Sequence, residues 1–369
     1  MKVLIANRFF GGGQIPTGRM ARDAAQELVR LGHEVTALTS AGQYEGAGAQ
    51  AARDEKIRVE RLWTPGGIPR AAAWLLFTLQ AGMRIPRMDW DVCILMTDPP
   101  LLPWLVRCIR NKVGAKRKIV AWLMDLYPEA LAASGRMNER GVFYRTFLGS
   151  RQRSLAAADL LVCLGEAQKE RLGELAGKVK CVVVPPWDRR EGVGRAEDGK
   201  LQNVALYAGN LGEAHGYRQI LEAARHLPGE WTVRFSVRGA KERALRKESW
   251  KMSNVRVTEY ASEEETPAML ASARVHLITM SPGWEGVVVP SKLYGCVRTG
   301  RPVLFLGPEQ SDTAREIRKH GWGEVLPPDA GAEDVARAIV RLGGVATKDW
   351  KIEDGAKTFA AAVASKSLS

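Results

Sequence analysis

Short apolar runs alternate with amphipathic stretches along nearly the whole chain. The first run, Lys2–Ala6, predicts a buried strand. A glycine-rich loop follows, then an amphipathic helix from about Thr17 to Leu31 and a second strand at Glu34–Thr39. This alternation is typical of a mostly parallel sheet with helices on its faces. The other strands predicted in this half are Val59–Leu62, Val92–Met96, Ile119–Leu123, Leu160–Leu164 and Cys181–Val184. About six or seven strands are enough for one doubly wound domain.

The alternation breaks at Pro185–Lys200, which is rich in proline, glycine and charge and predicts a linker. It then resumes with predicted strands at Val204–Tyr207, Trp231–Val237, Val255–Thr258, Val275–Thr279 and Val303–Leu306, and with predicted helices at Gly216–His226, Ser291–Val297 and Glu333–Leu342. We therefore expect an α/β chain of two Rossmann-like, doubly wound domains over residues 1–188 and 201–345. Residues 189–200 would link them, and a helix within 346–369 would pack back on the first domain.

The composition restricts the classes of binding partner but does not identify one. The chain has 369 residues, 46% of them apolar, so each half can build a large core. Its net charge of +13 favours anionic partners, whether phosphorylated ligands, lipid surfaces or nucleic acid. The five cysteines are dispersed and show no C-x-x-C spacing. A disulfide framework or a zinc site is therefore not expected, and a reducing cytoplasm is.

Two segments suggest contact with a membrane surface, although no span is expected. The first residues have a strand pattern rather than that of a signal peptide, and the longest apolar run, Ala71–Leu79, is about half of what a bilayer requires. The segment RAAAWLLFTLQAGMR combines Trp74 and Phe77 with flanking arginines, and Arg107–Lys118 holds six basic residues and no acidic one. Peripheral contact with anionic lipid on the inner face of the plasma membrane would fit. A core-facing helix beside a solvated basic surface fits equally well.

A first candidate phosphate loop follows the first strand. Gly12 and Gly13 lie in the glycine run, and Pro16, Thr17 and Gly18 open the helix. The amino end of a helix offers unpaired N–H groups to an anion. The dinucleotide fingerprint fails because its third glycine is replaced by Pro16, which disfavours a nicotinamide dehydrogenase. The alternative is a glycine turn without a ligand.

Two further loops lie in the second half. Gly209, Asn210, Leu211 and Gly212 end a predicted strand, and backbone N–H groups there could hold a diphosphate while His215 donates a hydrogen bond. The alternative is a tight turn with His215 as a helix cap.

The other loop precedes a predicted helix for which Ser291 is a good N-cap. Lys292 falls in the first turn, where the helix dipole disfavours a cation, so we expect Lys292 to face an anion. The alternative is a loop with a solvated lysine.

These motifs together resemble one enzyme family. The segments that carry the resemblance are PTGRMARDAAQELVRLGHEVTALTS, TDPP, DLYPEALAASG, LLVCLGEAQKERL, VVVPPWDR, YAGNLGEAHGYRQILEAA and GVVVPSKLYGCVRTGRPVLFLGP. In this order they are similar to retaining glycosyltransferases of family 4, in the branch that builds O-antigen, colanic acid and other exopolysaccharides. The resemblance covers nearly the whole chain.

The resemblance implies a GT-B architecture, with two Rossmann-like domains facing each other across a cleft. It implies transfer of a hexosyl-type sugar from a UDP- or GDP-linked donor to a polyprenyl-linked saccharide, with retention of configuration. The donor would bind the second domain and the acceptor the first. No metal would be required, because basic side chains and helix amino ends would stabilise the leaving diphosphate.

The resemblance also implies site residues. Lys292 would be the main cation on the diphosphate, aided by His215, while Asp125 and then Glu129 would orient sugar hydroxyls. Helix capping before Pro128 is the alternative for the two acids. The implied donor-binding residues are Gly209, Asn210, Leu211, Gly212, Glu285, Gly286, Val289, Pro290, Ser291, Lys292 and Leu293. The family's E-x7-E pattern is absent, since Val287 and Gly295 occupy its two positions and Glu285 lies two residues early.

Other functions remain open from the sequence. A nucleotide-sugar epimerase shares the architecture but needs acid and base groups around one sugar carbon. A degenerate GT-B chain could serve as a binding or assembly subunit, which the missing glutamate would explain. Nucleic-acid binding is suggested by charge alone, because no recognised module is present.

Overall fold

The computed structural model describes residues 1–11, 15–41, 56–190, 192–194 and 202–365. The chain forms two compact units. One comprises Met1–Pro186, Gly286–Val288 and Glu353–Ser369, and the other comprises Trp187–Glu285 and Val289–Ile352. Gly12, Gly13 and most of the predicted linker lie outside the described residues.

The first unit contains a seven-stranded parallel sheet with the order β3-β2-β1-β4-β5-β6-β7. Its strands are β1 (Lys2–Ala6), β2 (Glu34–Ser40), β3 (Ile57–Leu62), β4 (Val92–Leu95), β5 (Lys118–Trp122), β6 (Leu160–Cys163) and β7 (Cys181–Val183). Each predicted strand of this half is present, with ends that differ from the prediction by at most two residues. The order reverses between β1 and β4, and in open α/β sheets ligands bind beyond the carboxyl ends of the strands at such a point.

Helices cover both faces of the first sheet. They are α1 (Pro16–Arg30), α2 (Arg70–Arg84), α3 (Leu105–Val113), α4 (Glu129–Ala133), α5 (Val142–Leu155), α6 (Glu166–Arg171) and α7 (Glu174–Lys178). A common core joins Phe77 of α2, Val106 of α3 and Leu155 of α5 to one face of the strands. On the other face, Trp122 of β5 stacks on Phe359, with ring centroids 3.9 Å apart. Phe359 belongs to the last helix of the chain (Gly355–Val363), which packs against α1.

The second unit contains a six-stranded parallel sheet with the order β10-β9-β8-β11-β12-β13. Its strands are β8 (Val204–Asn210), β9 (Thr232–Arg238), β10 (Val255–Thr258), β11 (Val275–Thr279), β12 (Val303–Leu306) and β13 (Gly323–Leu326). The order reverses between β8 and β11. The helices are α8 (Arg218–Ala224), α9 (Glu242–Ser249), α10 (Thr266–Ala271), α11 (Lys292–Val297), α12 (Asp312–His320) and α13 (Ala332–Gly343), followed by α14 (Gly355–Val363) in the first unit.

The second half departs from the sequence prediction in local detail. Strand β13 was not predicted, because its four residues begin with Gly323 and show no long apolar run. Gly323 has φ +156°, and a Cβ there would lie 1.9 Å from the Val303 carbonyl oxygen, so glycine lets β13 approach β12. Helix α8 is shorter than predicted. Ser291 occupies the N-cap position of α11, but its side chain makes no capping hydrogen bond.

Candidate functional site

A partly buried lysine lies beside β8, where the strand order of the second sheet reverses. Lys292, the first residue of α11, donates a hydrogen bond from Nζ to the Tyr207 hydroxyl at 2.8 Å. Its Nζ also lies 4.2 Å from the centre of the Tyr207 ring. Gly209 has φ +139°, a backbone conformation that favours glycine, and its Cβ position lies in van der Waals range of Nζ, at 3.5 Å. The lysine therefore packs beside the end of β8 rather than extending into solvent.

The surroundings of Lys292 make its positive charge costly. Burial lowers the pKa of its ammonium group to about 7. Among the described residues no carboxylate forms an ion pair with it. Burial also raises the pKa of the Tyr207 hydroxyl, so Tyr207 is a neutral acceptor. A phosphate arriving at Nζ would supply the missing counter-charge, which makes this point a candidate anion site.

His215 is held in one tautomer. Its Nδ1 lies 2.7 Å from the Thr279 carbonyl oxygen, which can only accept, so Nδ1 carries the proton. Burial, and then the charge of Lys292, lower the pKa of His215 to about 3. The neutral ring thus presents Nε2 as an acceptor. The predicted hydrogen bond from His215 to a phosphate requires either Nδ1–H to leave Thr279 or the ring to take up a proton.

The backbone of the loop after β8 is held by hydrogen bonds. Leu211 N–H donates to the Arg238 carbonyl at 2.7 Å, so this amide, expected to contact a diphosphate, is already engaged. Lys241 Nζ donates to the carbonyls of Glu213 (3.0 Å) and His215 (2.7 Å). Lys241 brings a second cation to this loop, and sequence reasoning missed it. The available signal was its position two residues after Gly239, the glycine that follows β9.

The remaining predicted donor residues divide between the two units. Asn210 is exposed at the end of β8, and Gly212 follows it with a Cβ position 3.2 Å from Asn210 Nδ2. Glu285, Val289, Pro290, Ser291 and Leu293 belong to the second unit. Gly286 belongs to the first, where its φ of +66° and a Cβ position 2.4 Å from the Ala167 carbonyl oxygen require glycine.

In the first sheet, a cluster of charged residues lies beyond β1 and β4. Arg8 Nε lies 3.0 Å from Asp98 Oδ1, and Thr97 Oγ1 accepts the N–H groups of Met124 (3.0 Å) and Asp125 (3.3 Å). The side chain of Asp125 is exposed, yet the atoms packed around its carboxyl and the charge of Asp98 raise its pKa to about 6, against the influence of Arg70. The carboxyl groups of Asp125 and Asp98 thus titrate in each other's field, a pairing that the sequence did not reveal.

Glu129 has a different environment. It is 4% exposed and forms a bidentate ion pair with Arg151, at 2.6 and 2.7 Å, and Arg151 is 2% exposed. Arg151 also donates to the Tyr127 carbonyl. This geometry argues against the predicted catalytic role of Glu129. The buried pair instead ties α4 to α5, and removing either partner would leave an uncompensated charge.

The first phosphate loop is only partly described. Gly11 has φ +118°, and its N–H donates to the Gly18 carbonyl at 3.1 Å. Gly18 is buried, and a Cβ there would lie 3.2 Å from Phe9 Cβ. Thr17 Oγ1 is buried without a hydrogen-bond partner in the described part of the chain. The first turn of α1 has no acidic residue, which keeps its amino end favourable for an anion.

The glycine that replaces the expected glutamate has a structural reason. A Cβ on Gly295 would lie 2.6 Å from Asp188 Oδ2 and 2.8 Å from Arg190 Nη2. Asp188 and Arg190 form an ion pair whose side chains are 5% and 12% exposed. Arg298 donates to the backbone carbonyls of Asp188 (2.6 Å) and Arg190 (2.9 Å). A carboxylate therefore does occupy the space beside Gly295, but it comes from residue 188.

Comparison with known proteins agrees with this architecture. Residues 17–187 match the glycosyl transferase 4-like domain family. A probable glycosyltransferase, WbjE of Pseudomonas aeruginosa, is 24% identical over 280 residues, which span 71% of this chain and 68% of WbjE.

Solved structures show the same fold at low identity. HepE of Anabaena, in complex with UDP and glucose, has a TM-score of 0.65 at 14% identity and covers 98% of this chain and 95% of its own. WaaG, a glycosyltransferase involved in lipopolysaccharide biosynthesis, has a TM-score of 0.59 at 14% identity and covers 100% of this chain and 96% of its own.

Gly295→Glu tests the glycine that replaces the family's acid. We expect the new side chain to displace the Asp188–Arg190 pair and to lower the free energy of unfolding by about 1–3 kcal/mol, measured by urea denaturation. Gly229→Glu is the matched control, because nothing lies within 4 Å of its Cβ position. Unchanged stability together with tighter UDP binding in Gly295→Glu would contradict this explanation.

The pKa of Lys292 predicts a pH-dependent affinity. Below pH 7 the lysine is already protonated, so UDP affinity changes little from this source. Above pH 7, binding must be accompanied by proton uptake, and Kd should rise by up to about tenfold per pH unit. Calorimetry with UDP between pH 7 and 9 measures this. Lys292→Arg stays protonated and should lose most of the dependence, so the same pH dependence in both proteins would disprove the assignment.

Proposed function

We propose that this chain, in which residues 17–187 match the glycosyl transferase 4-like domain and which shares the fold of GT-B structures, is a glycosyltransferase. It would transfer a hexosyl sugar from a UDP- or GDP-linked donor to a polyprenyl-linked saccharide during cell-surface polysaccharide synthesis. The proposal rests on one observation about Lys292. Its ammonium group is desolvated, has no carboxylate partner among the described residues, and lies where the strand order of the second sheet reverses. Such a group favours a ligand that brings its own negative charge.

Lys292 suits the departure of a nucleoside diphosphate. As the bond from the anomeric carbon to the phosphate oxygen breaks, negative charge grows on the diphosphate. An ammonium group already fixed against Tyr207 stabilises that charge without reorganising. Because the site strips water from Lys292, the attraction is stronger than it would be in solution. In this proposal the leaving group is neutralised by the chain's own residues, so EDTA should not slow turnover.

Similar proteins support the donor and the pathway. HepE was crystallised with UDP and glucose, WaaG is involved in lipopolysaccharide biosynthesis, and WbjE is a probable glycosyltransferase. Nucleotide-sugar use and a role in cell-surface polysaccharide synthesis are extended from them to this chain as part of the proposal, whereas the lipid-linked acceptor rests on the sequence resemblance. So is retention of anomeric configuration.

Asp125 is assigned to hold a sugar hydroxyl. Its exposed carboxyl, with a pKa raised to about 6, is mostly ionised at pH 7 and accepts a hydrogen bond from a hydroxyl group. Thr97 fixes the backbone of Asp125 through Oγ1, so the carboxyl has a defined starting position. Glu129 has no part in this role.

The proposal includes peripheral contact with anionic lipid through a surface that differs from the predicted one. Phe77 is fully buried and belongs to the core, which corrects its assignment to a lipid-facing side of α2. The exposed apolar stripe of α2 is instead Leu75, Leu79 and Met83, which are 51–56% exposed and spaced four residues apart. Among the described helices, none is both long and apolar enough to cross a bilayer.

The neighbouring helices extend this surface. Helix α3 lies against both α2 and α5 and exposes Arg107 and Lys112. At the start of α5, Val142 and Phe143 are 77% and 80% exposed. Apolar side chains next to lysine and arginine match the interface of an anionic bilayer, where the apolar groups enter the acyl region and the cations meet lipid phosphates.

The central test is turnover. Purified protein is screened with UDP- and GDP-sugars and a polyprenyl-diphosphate saccharide, and both product and free nucleotide are measured. Lys292→Ala should lower kcat by about a hundredfold or more while remaining folded by circular dichroism. Lys319→Ala, an exposed lysine on α12, is the matched control and should keep wild-type turnover. An active Lys292→Ala protein would contradict the assignment of Lys292 to the site. Epimerisation of the donor sugar without any transfer product would contradict the proposed reaction.

The lipid surface is tested by vesicle flotation. The Leu79→Ser/Phe143→Ser variant should bind phosphatidylglycerol vesicles at least about tenfold more weakly, because each apolar side chain buried in lipid stabilises the bound state by about 1.5–3 kcal/mol. Trp250→Ser removes an equally exposed aromatic ring from the second unit and should bind as wild type. Equal binding by the double variant, or no binding by the wild type, would reject this surface.

A further inference from the structure

One edge of the second sheet breaks the rule for buried parallel strands. Strands covered on both faces are normally apolar throughout. In β9, Val233, Phe235 and Val237 enter the core against α8 and α13, but the alternate residues are Arg234, Ser236 and Arg238. Strand β10 shows the same alternation, with Arg256 and Thr258 on the polar side. This face of β9 and β10 is therefore polar and can make polar contacts.

The polar face opens into a cavity. Its volume is about 640 Å³, and its walls include Arg234, Arg256, Tyr260 and Met269. The helix on this side, α10, has only six residues, which is too short to cover both strands. A volume in this range suits a ligand of about the size of a disaccharide.

Two arginines stand side by side in this cavity. Arg234 and Arg256 are direct partners in the parallel register of β9 and β10, so their side chains leave the same face from neighbouring backbone positions. Arg234 contacts Ser272 Oγ at 3.4 Å, and Arg256 donates to the Ser253 carbonyl at 2.9 Å. Across the described residues, neither has a carboxylate within 4.0 Å. Like charges placed directly across a strand pair repel each other.

Two acidic residues, Glu259 and Glu265, line the same cavity, and within the described part of the chain neither forms an ion pair with Arg234 or Arg256. Glu265 closes the turn before α10, because its Oε2 accepts Ser262 N–H at 2.9 Å while Ser262 Oγ accepts Glu265 N–H at 3.2 Å. That contact lowers the pKa of Glu265, so the carboxylate is committed to the helix end. Tyr260 adds an aromatic wall on which Arg238 stacks, with 4.5 Å from its guanidinium carbon to the ring centre.

We propose that the polar face of β9 and β10 binds an anionic saccharide through Arg234 and Arg256, at a site separate from Lys292. A guanidinium group binds the oxygens of a phosphate or a carboxylate in pairs, and an anion between the two arginines removes their repulsion. Thr258, which is exposed, supplies a hydroxyl group and Tyr260 an apolar ring, the usual partners of a sugar. The saccharide's charge comes from either a phosphate or a uronic acid carboxylate.

The test is calorimetry with glucose 6-phosphate and with glucuronic acid, and with glucose as the neutral probe. The wild type should bind at least one of the two anions and should bind glucose more weakly, and the better anion identifies the charged group. Arg234→Gln and Arg256→Gln should each weaken binding by about tenfold or more. Arg337→Gln alters an exposed arginine of α13, on the opposite face of the sheet, and should bind as wild type.

Two further measurements separate this site from the alternatives. Lys292→Ala should bind the anionic probe like the wild type, and a loss there would mean that the probe occupies the Lys292 site, which would overturn the proposal. The urea midpoints of Arg234→Gln and Arg256→Gln without ligand should equal or exceed that of the wild type, because a like-charge contact is removed. Unchanged affinity in both arginine variants, or no binding of either anion to the wild type, would also overturn it.

Discussion

The contact between the Lys292 ammonium group and Tyr207 is the constraint on which the candidate site depends. A lysine at the first position of a helix opposes the helix dipole, and burial adds a second penalty that lowers its pKa to about 7. The hydroxyl and ring of Tyr207 offset only part of this cost, because both are neutral partners. The protein therefore carries a charge that a bound anion would stabilise. Two neighbouring residues are arranged around this charge. Gly209 lies against Nζ, and the charge of Lys292 helps to keep His215 neutral.

The arrangement shows how a repeated fold provides two different local chemistries. Both sheets reverse their strand order next to the first strand of the unit, which opens a crevice at the carboxyl ends. In the second unit that position holds cations, Lys292 and Lys241. In the first it holds the carboxyl groups of Asp98 and Asp125 with Arg8. In the proposed function the same backbone geometry would serve an anion in one unit and sugar hydroxyl groups in the other, and the side chains alone would make the difference.

Gly295 shows that a missing family residue need not leave a gap. The space beside this glycine contains the carboxylate of Asp188, held by Arg190 and braced by Arg298. Glycine is the residue that this packing allows, since any side chain would meet a buried ion pair. At this departure from the family pattern, a carboxylate from residue 188 lies beside the helix that carries the glycine.

The sequence by itself determined the two-sheet architecture, nearly every strand position and the place of Lys292 in the first turn of a helix. The apolar runs of strands, the periodicity of helices and a cation in the first turn of a helix are local signals. Each is visible within a few neighbouring residues. Only the tertiary structure decided the rest. Arg151 pairs with Glu129 from 22 residues away, and Asp188 reaches the helix of Gly295 from more than a hundred residues away. Phe77 is buried while Leu79 is exposed. The sequence could not distinguish them, because a helix that is apolar on several sides does not reveal which side meets the sheet. Contacts of this kind depend on which distant segments become neighbours, and no local pattern encodes that.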